Sequence, residues 1–291
     1  MESLKLTPDQ FTRMARLVYE RTGIHMPEEK LSMLSNRLRN RLRALKFDSF
    51  DEYCRLLESK KGCDQELLNF LSVVTTNETY FFRNEKMWKF FSEDLIRYFA
   101  ETKSASKSIR IWSAASSSGE EAYTAAIALR ENLKDFKQWR LTIIGSDISR
   151  NVLDKASAGV YDDYAVSKMS PTQVRRWFSK KGDEYHLCDE IRGIVAFQFH
   201  NLRDAFPSAP FDLVFLRNVL MYFDTPMKQR VLKVVTDAVA PGGHMIVGDV
   251  DPIRTLPELS AGLTMVYKGP GVYRKPVGKN AKAGKGEMVS A

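Results

Sequence analysis

Apolar residues in the first 75 positions recur at helical spacing. Phe11, Met14, Ala15 and Val18 fall on one face. Thr7-Pro8-Asp9-Gln10 supplies a capping hydroxyl, a proline at the first helical position and a capping-box glutamine. Gly23 predicts the stop. A second stripe, Leu31, Leu34, Leu38, Leu42 and Leu45, predicts a helix over 28–46, and helices over 50–57 and 65–74 complete an all-helical segment. From about residue 108 the period changes. β-like runs at 110–112, 141–145, 195–199, 213–216 and 245–247 are separated by helical patterns, notably 121–132 and 226–239. This alternation predicts a mostly parallel sheet with helices on both faces. Pro241-Gly242-Gly243 reads as a turn ahead of the fifth of these strands. Runs at 264–267 and 272–274, joined by Lys268-Gly269-Pro270-Gly271, read as a closing antiparallel pair. The connection from 161 to 199 is long and carries a β-like run at 185–188, so it predicts a small inserted β subdomain.

With 291 residues the chain is long enough for one large domain and a small one, and 44% hydrophobic with 27% charged residues is ordinary for a soluble protein. No apolar run approaches the roughly 20 residues that span a bilayer. The N-terminus lacks an apolar signal core, so the expected location is cytoplasmic, with no membrane insertion. Cys54, Cys63 and Cys188 have no metal-ligand spacing and read as free thiols, and the four histidines form no cluster, so no metal is expected. The net charge of +8 points to an acidic partner: nucleic acid, a membrane surface or an acidic protein. Part of that excess lies in a small, polar, lysine-rich tail expected to be disordered. The rest is concentrated in the second helix. Arg37 and Arg41 lie on one side of its leucine stripe, Arg39 and Arg43 on the other, and no acid falls between residues 31 and 46. These arginines either flank a core stripe with their heads in water or form a docking surface for an acidic partner.

The stretch Ile111 to Tyr123 combines a short strand, a turn of small residues and a helix start, which is how α/β proteins hold nucleotide-like ligands. Only Gly119 supplies the glycine pattern, and Glu120 and Glu121 follow at once, a poor cradle for a diphosphate. A ligand with positive charge and no phosphate suits it. Asp147 ends the second β-like run, about thirty residues beyond that loop, where an acid accepts bonds from ribose hydroxyls or else caps the next helix. Asn201-Leu202 and Arg217-Asn218 follow the third and fourth runs, where loops at carboxyl ends of parallel strands meet a ligand. Thr75-Thr76-Asn77-Glu78-Thr79-Tyr80-Phe81-Phe82-Arg83 joins the two halves. Its arginine is the side chain best suited to orient a carboxylate; the plainer reading is a hinge with core aromatics. The antiparallel pair closing a parallel sheet suits a methyltransferase better than a dinucleotide fold.

On Thr76-Asn77 through Phe81-Phe82-Arg83, Trp112-Ser113-Ala114-Ala115 with Gly119-Glu120-Glu121, Asp147-Ile148, Asn201-Leu202, Phe211-Asp212, and Arg217-Asn218-Val219 with Tyr222-Phe223-Asp224, the chain resembles the CheR family of chemotaxis receptor methyltransferases over residues 7 to 275. The resemblance implies an α/β chain: an all-helical, receptor-docking domain over 1–75, a linker over 76–98, and a Rossmann-like class I methyltransferase domain over 99–276. A small antiparallel β subdomain is inserted at about 162–198, and the tail covers 277–291. It implies S-adenosylmethionine as methyl donor, S-adenosylhomocysteine as product, and glutamate side chains on the cytoplasmic helical bundle of a chemoreceptor as substrate. Carried over by position, Asn77, Thr79, Arg83, Glu121, Asp147, Asn201, Leu202, Arg217 and Asn218 line the cofactor site. Arg83 and Tyr222 face the transferred methyl, and Arg37, Arg39, Arg41 and Arg43 dock on the receptor's acidic methylation helices. Ala122 stands where the family usually has proline, Ser116 where it often has alanine or cysteine, and Gly248-Asp249-Val250 replaces Gly-His-Ser-Glu. The insertion is slightly short, which in this family implies weak or absent binding of a receptor's C-terminal tether. The competing expectations are a methyltransferase of RNA or another acidic substrate, and a non-catalytic scaffold that binds the same cofactor.

Overall fold

The computed structural model describes residues 5–59, 63–75, 77–208, 210–248, 263–267 and 271–277. Thr76, Asp249-Val250, Lys268 to Pro270 and the tail beyond 277 lie outside the described residues.

Helices α1 (Pro8–Thr22), α2 (Leu31–Leu45), α3 (Phe50–Glu58) and α4 (Cys63–Val74) form the N-terminal unit, with a 3-10 turn at Glu28–Lys30 ahead of α2. Both halves of the capping box form: Gln10 N–H donates to Thr7 Oγ1 and Thr7 N–H to Gln10 Oε1. Gly23 ends α1 at φ 79°, and its N–H donates to the Tyr19 carbonyl. Leu34, Leu38 and Leu42 are fully buried and pack with Met14, Val18, Tyr53 and Phe70.

From Glu85 onward the stretch expected as a linker is instead helical. Met87, Trp88, Phe91, Leu95 and Phe99 recur at helical spacing and are buried. They build α5 (Glu85–Phe90) and α6 (Ile96–Thr102), joined by a π-helical turn at Phe91–Leu95. This helix packs its apolar face with Ile109, Ile111 and Phe215 of the central sheet.

The remaining elements are β1 (Ser108–Ala114), α7 (Glu120–Asn132), β2 (Arg140–Asp147), α8 (Arg150–Ala158), β3 (Val160–Tyr161), α9 (Asp163–Val166), α10 (Pro171–Trp177), β4 (Phe178–Lys181), β5 (Glu184–Leu187), α11 (Asp189–Arg192), β6 (Val195–Phe199), β7 (Phe211–Leu216), α12 (Thr225–Ala238), β8 (Val239–Val247), β9 (Thr264–Tyr267) and β10 (Val272–Arg274). The large sheet runs β6-β2-β1-β7-β8-β10-β9. Its first five strands pair in parallel, and β10 pairs antiparallel with both β8 and β9. Strand order reverses between β1 and β7, so the loops after them splay apart at the carboxyl edge and leave a crevice.

Two local expectations are corrected. Pro241-Gly242-Gly243 does not precede a strand but lies within β8, as a bulge: Phe211 pairs with Val239 and Leu213 with His244. Gly243 has no room for a side chain there, since a Cβ would fall 2.9 Å from the Ala240 carbonyl. The inserted subdomain is a three-stranded antiparallel sheet, β3-β5-β4. It starts at Val160, and residues 195–198, assigned to it from sequence, belong to the edge strand β6 of the large sheet.

Candidate functional site

The carboxyl edge of the sheet opens into a cleft of about 1290 Å³. Asn77, Thr79, Arg83, Glu121, Asp147, Asn201, Leu202, Arg217, Asn218 and Tyr222, far apart in sequence, all line it.

The loop after β1 forms the floor. Ala115 and Ser117 take left-handed φ of 64° and 49°, and Gly119 takes 92°. Two non-glycine residues held in this sparsely populated region mark a constrained turn. The turn is fixed from β2: Ser116 N–H donates to the Ser146 carbonyl at 2.8 Å, and Ser117 N–H to Asp147 Oδ2 at 2.9 Å. Asp147 Oδ1 accepts the N–H of Ser149, the residue that caps α8, at 3.0 Å. Ser149 and not Asp147 is the N-cap of α8, so the capping reading is not realised; the backbone N–H groups of Ser117, Ser149 and Ile148 engage the carboxylate, which offers about four acceptor positions. Burial pushes the Asp147 carboxyl above its usual range, and these backbone donors pull it back only in part. Ser116 Oγ, buried in the same wall, has no hydrogen-bond partner among the described residues.

Glu121 and Arg217 face each other across the switch point. Arg217 Nη1 donates to Glu121 Oε2 at 2.8 Å and Ser113 Oγ to Glu121 Oε1 at 2.8 Å, with the arginine side chain 5% and the glutamate 13% exposed. Such a pair needs its remaining donors met. Arg217 Nη2 accordingly donates to the Arg83 carbonyl at 2.8 Å. The ion pair therefore also clamps the junction segment.

That segment, 77–84, crosses the cleft mouth in irregular backbone, with Phe82 at φ 57° and Asn84 at φ 72°. Phe81 is fully buried between the rings of Tyr161 and Phe178, as the plain hinge reading requires. Arg83 instead lies on the cleft wall, half-buried. Its Nη1 donates to the Glu78 carbonyl at 2.6 Å, and its guanidinium sits 5.8 Å from the Tyr80 ring centroid. From that wall the guanidinium can orient and desolvate an anion.

The opposite wall comes from the helical unit, which sequence reasoning assigned to docking alone. Thr22, Ile24, His25 and Met26 line the cleft. Ile24 bridges to Phe223, His25 N–H donates to the Tyr222 carbonyl at 2.8 Å, and Tyr19 OH donates to Asp224 Oδ2 at 2.9 Å. Asn201 Nδ2 and Arg203 Nη1 reach back to the carbonyls of Arg21 (2.9 Å) and Glu20 (2.6 Å) at the end of α1. Only Gly23, a helix stop ahead of a polar-apolar run, signalled that a strap follows. His200 was also missed. Its ring packs on Trp112 and Phe206, its Nε2 has no partner, and burial lowers its pKa.

Of the four arginines expected to dock, two bond within the fold. Arg37 Nη1 donates to the carbonyls of Val73 to Thr75 that end α4, at 2.9 Å to Val74. Arg41 Nε donates to Glu66 Oε1 at 2.8 Å, and Glu66 is buried. Both heads are turned into the fold because α4 offers unmet carbonyls and a buried acid beside the leucine stripe. Arg39 is half-buried, and Arg43 is exposed.

Residues 77–265 match the family model described as CheR methyltransferase, SAM binding domain, and residues 9–75 match CheR methyltransferase, all-alpha domain. The chain belongs to the CheR methyltransferase family. It is 30% identical over 272 residues to a chemotaxis protein methyltransferase of Borreliella burgdorferi, covering 91% of this chain and 96% of that one. It is 33% identical over 261 residues to the protein of the same description from Salmonella typhimurium, covering 88% of each. As a CheR-family methyltransferase with a SAM binding domain, the chain uses S-adenosylmethionine, and the cleft fits it. Acidic groups at Glu121 and Asp147 suit a cationic, phosphate-free ligand, Asp147 has acceptor capacity to spare, and Ser116 Oγ awaits a partner. Among the described residues no helix is long and apolar enough to cross a membrane.

Proposed function

We propose that this methyltransferase esterifies glutamate side chains on the acidic cytoplasmic helices of a chemoreceptor. The observation that carries the reading is the half-buried Arg83 on the wall of the cofactor cleft, held by the Glu78 carbonyl with its guanidinium turned along the Tyr80 ring. The description of the relatives as chemotaxis protein methyltransferases supports the same substrate class.

A glutamate carboxyl has a pKa near ~4.3, so it is already a nucleophilic anion at neutral pH and needs no general base. When bound, S-adenosylmethionine supplies a methyl group activated by its sulfonium. The cofactor would be held by Asp147, through acceptor positions that its backbone donors leave free and that suit ribose hydroxyls, and by Glu121, whose charge, already paired with Arg217, would suit its cationic part, while Asn77, Thr79, Asn201, Leu202 and Asn218 would complete the walls. Arg83 holds the incoming carboxylate, and Tyr222 shapes the channel to the methyl. The Ile24–Met26 strap and the junction segment exclude water, so alignment contributes up to roughly 7–11 kcal/mol. Arg43, with Arg39 at its edge, meets the acidic receptor surface.

The test is transfer of tritiated methyl from S-adenosylmethionine to chemoreceptor membranes from the cells that make this protein. Base-labile label released as methanol is the expected result. Base-stable label in RNA, or no transfer by well-folded protein, refutes the reading. Arg83→Ala is expected to lose most of the activity with cofactor affinity retained.

A further inference from the structure

Next to Arg83 lies an acid that sits badly with an anionic substrate. Glu78 is exposed, and its own main-chain carbonyl accepts from Arg83 Nη1 at 2.6 Å. A side chain rooted that close reaches the guanidinium by rotation about its own bonds. A carboxylate there would neutralise the cation that the substrate needs. Yet no ion pair joins Glu78 and Arg83 among the described residues. Its carboxylate Oε1 instead accepts the phenol of Tyr164 at 2.7 Å.

Tyr164 belongs to α9 of the inserted subdomain and is 52% exposed, so packing alone does not explain its orientation. Its ring meets Tyr80 edge-on at 5.8 Å, and Tyr80 in turn lies against the Arg83 guanidinium. The same helix holds the junction segment by its backbone, since the Ala165 carbonyl accepts Phe81 N–H at 2.9 Å. The Tyr164 hydroxyl is held above its usual pKa first by the hydrogen bond to Glu78, while the Arg83 charge pulls it down. Tyrosine, acid and arginine therefore form one electrostatic group.

We propose that Tyr164 is a positioning residue that holds the Glu78 carboxylate away from Arg83 and so keeps the guanidinium free for the substrate. This rests on the reading of Arg83 given above. It assigns the inserted subdomain a part in methyl transfer: α9 carries the hydroxyl that decides whether the substrate arginine is available.

The experiment is a double-mutant cycle on Tyr164→Phe and Glu78→Gln in the full chain, with initial rates of tritiated methyl transfer to receptor membranes at saturating S-adenosylmethionine. Tyr164→Phe removes only the hydroxyl, and kcat/KM for receptor is expected to fall roughly fivefold, the upper end for a partly exposed ion pair competing with substrate. The loss is expected in KM, with cofactor affinity by calorimetry and the thermal midpoint unchanged. Adding Glu78→Gln to that variant removes the competing charge, and kcat/KM is expected to return to within twofold of wild type. A merely structural hydroxyl would not be rescued this way. The proposal is overturned if Tyr164→Phe acts at the wild-type rate, if the double variant stays as slow as the single, or if Glu78→Gln alone loses as much as Tyr164→Phe. Wild-type protein that labels no receptor refutes the substrate reading itself and this inference with it.

Discussion

Replacing Arg41 by alanine separates docking from stability in the basic helix. Arg41 donates three bonds to Glu66, at 2.8 and 3.1 Å from Nε and a third from Nη2, and Glu66 also accepts from Tyr53 OH at 2.7 Å and Asn69 Nδ2 at 3.3 Å. Burial alone would raise the Glu66 carboxyl, but the bonds from Arg41, Tyr53 and Asn69 outweigh it and hold it below its usual range. Breaking a buried pair by truncating one partner costs about 3–5 kcal/mol. Here the cost is smaller, because Glu66 keeps two donors and the arginine side chain is 28% exposed. We expect about 2 kcal/mol after that discount. If the helical unit melts on its own, that is roughly 10 °C in its midpoint. Calorimetry and urea titration of the full chain measure it, with exposed Arg43→Ala as the control expected within about 0.5 kcal/mol of wild type. The sign with pH follows from the depressed carboxyl. Its contribution is present above the ordinary glutamate pKa and is lost as pH falls through the lower folded value. The gap between wild type and variant therefore closes in acid. An Arg41→Ala protein that melts with wild-type midpoint but binds receptor membranes weakly would show that Arg41 serves the partner and not the fold.

Three further outcomes are expected. Glu120 is 3% exposed and burial pushes its carboxyl up to about 7 against an ordinary 4.5, so the folded state holds a proton that the unfolded chain releases. Stability should fall as pH rises from about 4.5 to 7 by roughly 3 kcal/mol at most, and Glu120→Gln should flatten that slope; equal slopes in urea titrations refute the assignment. Asp147→Asn should weaken S-adenosylmethionine by about 10- to 100-fold in calorimetry, the loss expected for a bond to a charged acceptor, and an affinity within twofold of wild type removes the ribose role. Gly23→Ala forces a side chain onto a φ of 79° and within 2.7 Å of Met227 Cε. It should cost about 1–2 kcal/mol by thermal melting, only part of which Met227→Ala recovers, because the backbone strain stays.

Periodicity was enough to read α1 from Thr7 to Gly23 and β6 to its ends, because capping groups and alternation are local properties. Asp147, Asn201, Leu202, Arg217 and Asn218 were legible from their places at the ends of parallel strands, which the sheet topology carries to one edge; Asn77, Thr79, Arg83 and Tyr222 lie in the junction segment and a 3-10 turn, and only the family resemblance placed them in the site. What failed was long-range. The inward turn of Arg37 and Arg41 depends on the carbonyls of Val73 to Thr75 and on Glu66, partners from a different helix that no pattern within α2 reveals. The helix that starts at Glu85 fell mostly within the stretch 76–98 read as a linker, because its apolar face is defined by the central sheet it packs on and not by any local signal. Ile24–Met26 joined the cleft unannounced, since a strap is positioned by what it touches and its own residues carry no period. Tyr164 stood in an insertion that the sequence showed only as a long connection with a β-like run, and nothing there marked its hydroxyl.

The helical unit is seated on the methyltransferase unit partly through main-chain oxygens of Glu20 and Arg21, gripped by Asn201 and Arg203. A carbonyl is the same whatever side chain its residue bears. Much of α1 and the surface it presents can therefore drift in sequence while these two grips persist, so the outward face of the helical unit can change without rebuilding the joint that holds it against the cleft.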